Sequence, residues 1–152
     1  MAELQTSYTD TVAPGYAGMV ANGETSNRIT RTCEDSAGIP FGVPVYRGSG
    51  DHGCTDTVGT VASFLGISIA TSALGLTAGA DADEYQQYDN VNIMTQGAIW
   101  VVAGEAVTDG APVYADGTTN ELVDTATDNI ALTDWVFDGT AASGALVKIV
   151  KR

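Results

Sequence analysis

The chain has 152 residues, of which 44% are hydrophobic and 16% charged, enough to bury one core and to predict a single domain. The formal net charge is −13, and no Lys or Arg lies between Arg47 and Lys148. Because nucleic-acid binding depends on cationic side chains that displace counterions, this charge rules out DNA or RNA as a partner. The 18 glycines favour strands joined by frequent turns over helices.

The first 23 residues show no sustained strand periodicity, and we predict an extended N-terminal arm over residues 1–23. A basic region followed by an apolar run is missing at its start, so no secretory signal is expected and the protein should be made in a cytosol. The arm carries apolar groups that a free monomer should not leave exposed together, which predicts packing on a partner chain. These groups are Tyr8, Pro14, Tyr16 and Met19.

Residues 27–33 alternate in polarity and predict a strand with a basic polar face. Arg28 and Arg31 lie on this strand, and Arg47 follows the next predicted strand. We therefore expect the few cations to gather on one side, with that side meeting the partner first. The alternative is that these arginines make local ion pairs with neighbouring glutamates, which contribute little when exposed.

A short internal repeat is the most informative pattern in the chain. Residues 39–46 and 107–114 share the sequence apolar-x-x-Gly-x-Pro-Val-Tyr. In each copy Gly permits a tight turn, Pro starts a strand without needing its N–H, and Val-Tyr continues a half-buried strand.

Each copy is followed later by an alternating strand, at 64–69 and at 145–150. The pattern predicts an all-β fold, in which residues 24–152 form one compact β-barrel or jelly-roll-like domain. Within it, residues 27–70 and 91–150 would be two pseudo-repeated units. The alternative is that Gly-x-Pro-Val is generic hairpin chemistry and the repeat is accidental.

The segments between these strands are harder to assign. Residues 71–90 are predicted to form a linker with a short helical turn at 83–88. Residues 91–95 and 98–102 are predicted to form two strands that are separated by a break at Gln96-Gly97. Residues 124–144 read as a loop anchored by two aromatic side chains, Trp135 and Phe137.

The uncharged stretch from residue 57 to residue 80 has the length of a membrane span. Its many Ser, Thr and Gly residues lower its hydropathy too far for insertion, so no membrane partner is expected.

The sequence contains little catalytic chemistry. Its single histidine, His52, lies in a glycine-rich turn without nearby partners, and no phosphate-binding loop or nucleophile motif occurs. We expect no catalytic residue, no cofactor and no enzyme activity. A small β-barrel enzyme that uses an unrecognised acidic pair is the alternative. Cys33 and Cys54 are expected to be free, buried thiols.

An acidic cluster between residues 81 and 89 invites a comparison with calcium-binding loops. The spacing of its carboxylates does not match that of an EF-hand, because Tyr and Gln stand where a ligand and the required Gly should be. We predict a solvated acidic loop and no metal site. The residues concerned are Asp81, Asp83, Glu84 and Asp89.

Several segments, in this order, resemble the structural cement proteins, or head decoration proteins, of tailed bacteriophages. The resemblance is carried by Pro14–Val20, Gly38–Val45, Phe64–Ile67, Tyr88–Val91 and Gly97–Val101. It implies a non-enzymatic β-barrel or jelly-roll-like structural protein of the virion.

By the same resemblance, the partner is the major capsid protein and the protein binds the outer surface of the mature head, where it stabilises contacts between capsid subunits. A homo-oligomer is implied, with a dimer favoured and a trimer as the alternative. The acidic surface agrees with a position outside a DNA-filled shell. A carbohydrate-binding or adhesion module with exposed Trp or Tyr is the competing function.

Overall fold

The computed structural model describes residues 14–72 and 83–152, and these residues form eleven β-strands and no helix. The predicted all-β class is confirmed. In the part of the chain so described, no helix is long and apolar enough to cross a membrane. The strands are β1 Asn27–Cys33, β2 Ile39–Pro40, β3 Pro44–Arg47, β4 Gly53–Thr55, β5 Phe64–Ser68, β6 Glu84–Tyr85, β7 Asn90–Val102, β8 Pro112–Ala115, β9 Leu122–Val123, β10 Ile130–Phe137 and β11 Leu146–Lys151.

Five strands close into a barrel in the order β1-β4-β3-β5-β7, because β7 also pairs with β1. Closure pairs each strand on both sides and leaves no exposed sheet edge among the five. Side chains from alternate positions fill the interior. The buried barrel core consists of Cys33, Ile39, Phe41, Val45, Cys54, Tyr85, Val91 and Ile93.

Strand β7 belongs to both halves of the molecule. Residues 90–96 pair with β1, whereas residues 97–102 pair with β11, and the sheet continues through β10 and β8 to β9. The predicted break at Gln96-Gly97 is therefore wrong. The strand is continuous, and its glycine, at φ 132°, marks the point where the pairing partner changes. A Cβ at Gly97 would lie 2.8 Å from Cβ of Ser26, so the site also needs a small residue.

The predicted loop over residues 124–144 is also wrong in its middle, where β10 forms. Its buried side chains include Trp135 and Phe137, which are anchored in a second core, as expected. This second core consists of Ile67, Ile69, Met94, Ile99, Val101, Ala103, Val107, Val113, Ala115, Leu122, Leu132, Trp135, Phe137, Val147 and Ile149. The register of β10 against β8 shifts between Ala131 and Val136, and Asp134 has a left-handed φ of 67°. This bulge interrupts the period of two, which explains why the sequence did not indicate a strand.

The predicted helical turn at residues 83–88 is replaced by β6, which pairs with β2. Positive φ values at Asp83 and Tyr88, 64° and 73°, are incompatible with a right-handed helical turn. Tyr85 is fully buried and its hydroxyl donates to the carbonyl of Ile69. Of the predicted linker, residues 73–82 lie outside the described residues.

The two copies of the Gly-x-Pro-Val-Tyr pattern have similar local geometry. Gly42 and Gly110 have φ values of 75° and 80°, and the proline that follows each opens a four-residue strand, β3 or β8. The glycine N–H donates to the last residue of the neighbouring strand, to Ser68 at 2.9 Å and to Phe137 at 2.8 Å. In the sheet β3 lies between β4 and β5, and β8 lies between β9 and β10. The division into units 27–70 and 91–150 stays a prediction.

Cys33 and Cys54 are register partners on the parallel strands β1 and β4, and both are fully buried free thiols. Burial is the main cause that raises the pKa of Cys33 to about 11 and of Cys54 to about 12. Both thiols therefore stay protonated near neutral pH and act as small apolar core residues.

Candidate partner-binding surface

The described part of the predicted arm packs on β7 of the same chain. Val20 forms a bridge with Ile99 of β7 and is partly buried against the second core. Residues 14–21 thus cover one edge of β7, while residues 1–13, including Tyr8, lie outside the described residues. Three backbone hydrogen bonds of 2.8 to 2.9 Å make the attachment, from Gly18 N to Trp100 O, from Trp100 N to Met19 O and from Ala21 N to Ala98 O.

Two glycines allow this segment to lie directly on the turn that precedes β3. Gly18 and Gly42 both have left-handed φ, 81° and 75°. A Cβ on Gly42 would lie 2.7 Å from the backbone N of Gly18, and one on Gly18 would lie 2.8 Å from the N of Ala70. Only glycines permit this backbone contact without displacement. The contact places Ala17 and Tyr16 beside Phe41.

A groove of two lobes runs across this junction between the barrel and the second half. One lobe has a volume of about 360 Å³ and the other about 500 Å³, and they share Ala17, Pro40 and Phe41. Tyr16 lines the second lobe and is 60% exposed, and Val102 lines the first and is 46% exposed. The wall is largely apolar, and its apolar members are Ala17, Pro40, Phe41, Val43, Pro44, Val102, Ala103 and Leu122.

Carboxylates occupy the rim of the groove. Asp56 and Glu121 line the first lobe, and Asp83 and Glu84 line the second, whereas no Lys or Arg of residues 14–72 and 83–152 lines either lobe. Asp56 is half-buried, and its burial, together with the adjacent carboxylate of Asp35, raises its pKa to about 6. The groove is therefore apolar inside and negatively charged at its edge.

The arm residues predicted for the interface differ in exposure. Pro14 and Tyr16 are exposed, and Tyr16 lies in the groove. Met19 is half-buried, and its methyl group lies 2.9 Å from where a Cβ on Gly15 would be, next to the Trp100 ring. Val102 and the rim carboxylates were not predicted.

The two arginines of β1 do not share a face. Arg31 is opposite Val91 and Thr30 is opposite Asn92, so alternation puts Arg31 on the side of the barrel core and Arg28 on the outer side. The expected single basic face is therefore wrong for this pair. Among the described residues neither arginine makes an ion pair, so the predicted local pairing with glutamates is absent there as well. The ion pairs found join Lys148 to Asp138, Lys151 to Asp134 and Arg152 to Glu24.

The aromatic side chains do not form a tryptophan platform. Trp135 is 1% exposed, and Trp100 is half-buried beneath Gly15. Among the residues that the structure describes, the exposed aromatic side chains are those of Tyr16 and Tyr88. Tyr88 is 76% exposed and has a left-handed backbone, which is unusual for a bulky residue.

The acidic residues of the 81–89 region are used in local hydrogen bonds. The Gln86 amide side chain donates to Glu84 at 2.7 Å, and its backbone N–H donates to Asp89 at 2.8 Å. Asp81 lies outside the described residues. Over residues 14–72 and 83–152, no group of three or more His, Cys, Asp or Glu side chains could hold a metal ion.

Comparison with known proteins identifies relatives of the whole chain. Residues 4–151 match the family model described as structural cement protein (E217 gp24/Pam3 gp6). A chain from the capsid of Myoviridae phage XM1 has the same fold, with a TM-score of 0.73 and 20% identity over 99% of this chain and 97% of that one. The base of the head fiber gp8.5 of bacteriophage phi29 is more distant, with a TM-score of 0.47 and 14% identity over 84% of this chain and 95% of that one. No curated protein sequence matches.

Proposed function

The chain belongs to the phage structural cement protein family, and from this premise we propose that it binds the outer surface of the mature head as a non-enzymatic decoration protein. The family match over residues 4–151 is the observation that carries the proposal. The fold shared with a chain of a phage capsid agrees with a structural protein of the virion.

The proposed action is to stabilise contacts between major capsid subunits. The closed barrel and the strands that continue its sheet, β11, β10, β8 and β9, give a surface that can contact several subunits at once. Many weak contacts then hold a shell together, because linked sites raise the effective concentration of each contact. We also propose that the protein acts as a homo-oligomer, with a dimer favoured, and that it is made in the host cytoplasm.

An outer position is supported by charge. The net charge of −13 would be repelled by packaged DNA on the inside of the shell, but outside it keeps free copies soluble and apart. The sequence-based contacts Tyr8, Pro14, Tyr16, Met19, Arg28 and Arg31 remain proposals, of which Tyr16 has the geometry that best fits a contact.

Binding to expanded heads that lack the protein tests this function. Purified protein is mixed with such heads, and the pellet is analysed after sedimentation together with the temperature at which the heads release DNA. We expect saturable binding and a higher release temperature. Protein that stays in the supernatant, or that binds without changing DNA release, would contradict the cement function.

A further inference from the structure

We propose that the two-lobed groove receives an extended segment of the major capsid protein in which apolar side chains are flanked by Lys or Arg. This inference rests on the function proposed above and names the chemistry of the segment that the protein recognises. Its basis is the combination of an apolar wall with a rim in which the described residues contribute carboxylates and no Lys or Arg.

The wall provides the apolar part of the recognition. Val102 and Tyr16 remain 46% and 60% exposed, one in each lobe, although both lie beside largely buried residues such as Phe41. Covering such side chains removes apolar surface from water, and this drives association. Ala17, Pro40 and Phe41 line both lobes, so the lobes are adjacent, and an extended segment can contact both of them whereas a single side chain cannot.

The rim selects the charge of the partner. Asp83 and Glu121 line different lobes, and both residues are exposed. A segment with cations at both ends would pair with both rims, whereas an acidic segment would be repelled.

The same charges argue against other parts of this chain as the occupant. Residues 1–13 contain Glu3 and Asp10 and no Lys or Arg, and residues 73–82 contain Asp81 and no cation. A second copy is also disfavoured, because it carries the same net charge of −13 and would bring its own acidic surface against the carboxylates of the groove.

Charge-neutralised variants test the rim. Asp83→Asn with Glu121→Gln removes two rim carboxylates, and Asn tolerates the left-handed φ of 64° at position 83. Asp51→Asn with Asp109→Asn is the matched control, since it changes the net charge equally at exposed positions that do not line the groove. We expect the rim variant to bind heads about tenfold more weakly at low salt and the control to bind like the wild type. Equal binding by the two variants would overturn the proposal.

A second pair of variants tests the wall. Val102→Arg places a bulky cation in the first lobe. Val61→Arg is the control, because Val61 does not line the groove and its exposed fraction of 51% is similar to the 46% of Val102. We expect head binding to be lost with Val102→Arg alone. Loss with both variants, or with neither, would overturn the proposal.

The occupant is identified by a photo-reactive residue at position 102, cross-linked on heads and located by mass spectrometry. The proposal requires a cross-link to a capsid-protein segment that contains Lys or Arg next to apolar residues. A cross-link to residues 1–13 or 73–82, or to a second copy, would overturn it.

If wild-type protein does not bind heads at all, the cement function itself fails. If wild-type protein binds but the groove variants bind equally well, the groove proposal alone fails.

Discussion

Tyr46 and Asn120 connect the two halves of the molecule through a hydrogen bond of 3.2 Å from the tyrosine hydroxyl to Oδ1 of the asparagine. The Asn120 amide nitrogen donates in turn to the carbonyls of Pro44 and Asp56, at 3.0 Å and 2.8 Å. One side chain in the turn between β8 and β9 is thus bonded to three residues of the barrel, next to the acidic groove.

Removing this side chain should destabilise the protein. Asn120→Gly keeps the left-handed backbone, φ 62°, and deletes all three hydrogen bonds, so we expect a loss of about 2 to 3 kcal/mol of unfolding free energy. Asp128→Gly, at φ 61° in an exposed loop, is the control and should change stability by less than about 1 kcal/mol. Urea denaturation gives both values, and equal losses would show that the Asn120 bridge adds nothing.

The backbone contact between Gly18 and Gly42 should not tolerate a methyl group. Gly42→Ala combines a left-handed φ with a Cβ 2.7 Å from the N of Gly18, and we expect a loss of about 3 kcal/mol. Gly110→Ala has a similar φ of 80° but no atom within 4 Å of the new Cβ, so it should cost about 1 kcal/mol. Thermal unfolding checks the order, and a Gly110 effect as large as that of Gly42 would rule out the steric contribution.

The Asp56 carboxyl group should make stability fall as the pH rises. Its pKa is about 6 in the folded protein and 3.8 in a model peptide, so the folded state holds the proton more tightly. The contribution of this group to stability is therefore greatest below pH 3.8 and is lost between pH 3.8 and about pH 6. Asp56→Asn should raise the melting temperature at pH 8 and change it little at pH 3.5. Asp109→Asn should show no such difference, and parallel melting curves for Asp56→Asn and wild type would contradict the prediction.

Glu34 should hold the glycine-rich loop before β4. Its carboxylate accepts hydrogen bonds from Ser49 N at 2.7 Å, Ser49 Oγ at 2.9 Å and Gly50 N at 2.8 Å, and these lower its pKa. Glu34→Gln should speed hydrogen exchange at these two amides, and wild type should lose the same protection as the pH falls below 4.5. Asp51→Asn in the same loop is the control, and unchanged exchange in Glu34→Gln would refute the role.

Strands could be predicted from the sequence where the alternation of polar and apolar residues, or a turn pattern, is not interrupted. β1 spans residues 27–33 as expected, because polarity alternates along it, and the Gly-x-Pro-Val-Tyr pattern correctly located two strand starts. β10 was missed because its bulge at Asp134 breaks the period of two. Gly97 weakens the strand because it has no side chain to pack, but backbone pairing with β1 before it and with β11 from it onward keeps β7 continuous.

The groove could not be predicted, because it has no local signature. Tyr16, Phe41, Val102 and Glu121 are far apart in the sequence and meet only after the barrel closes and residues 14–21 pair with β7. The family resemblance pointed to a capsid partner, but the position of the contact depends on long-range pairing that single-sequence patterns do not encode.

Electron cryomicroscopy of expanded heads, prepared without the protein and then saturated with it, tests the central claim most directly. We predict additional density on the outer face of the shell that fits the eleven-stranded body and touches at least two capsid subunits, with the groove at Val102 facing the shell. Heads that show no added density, or density on the inner face, would contradict the assignment as an outer cement protein.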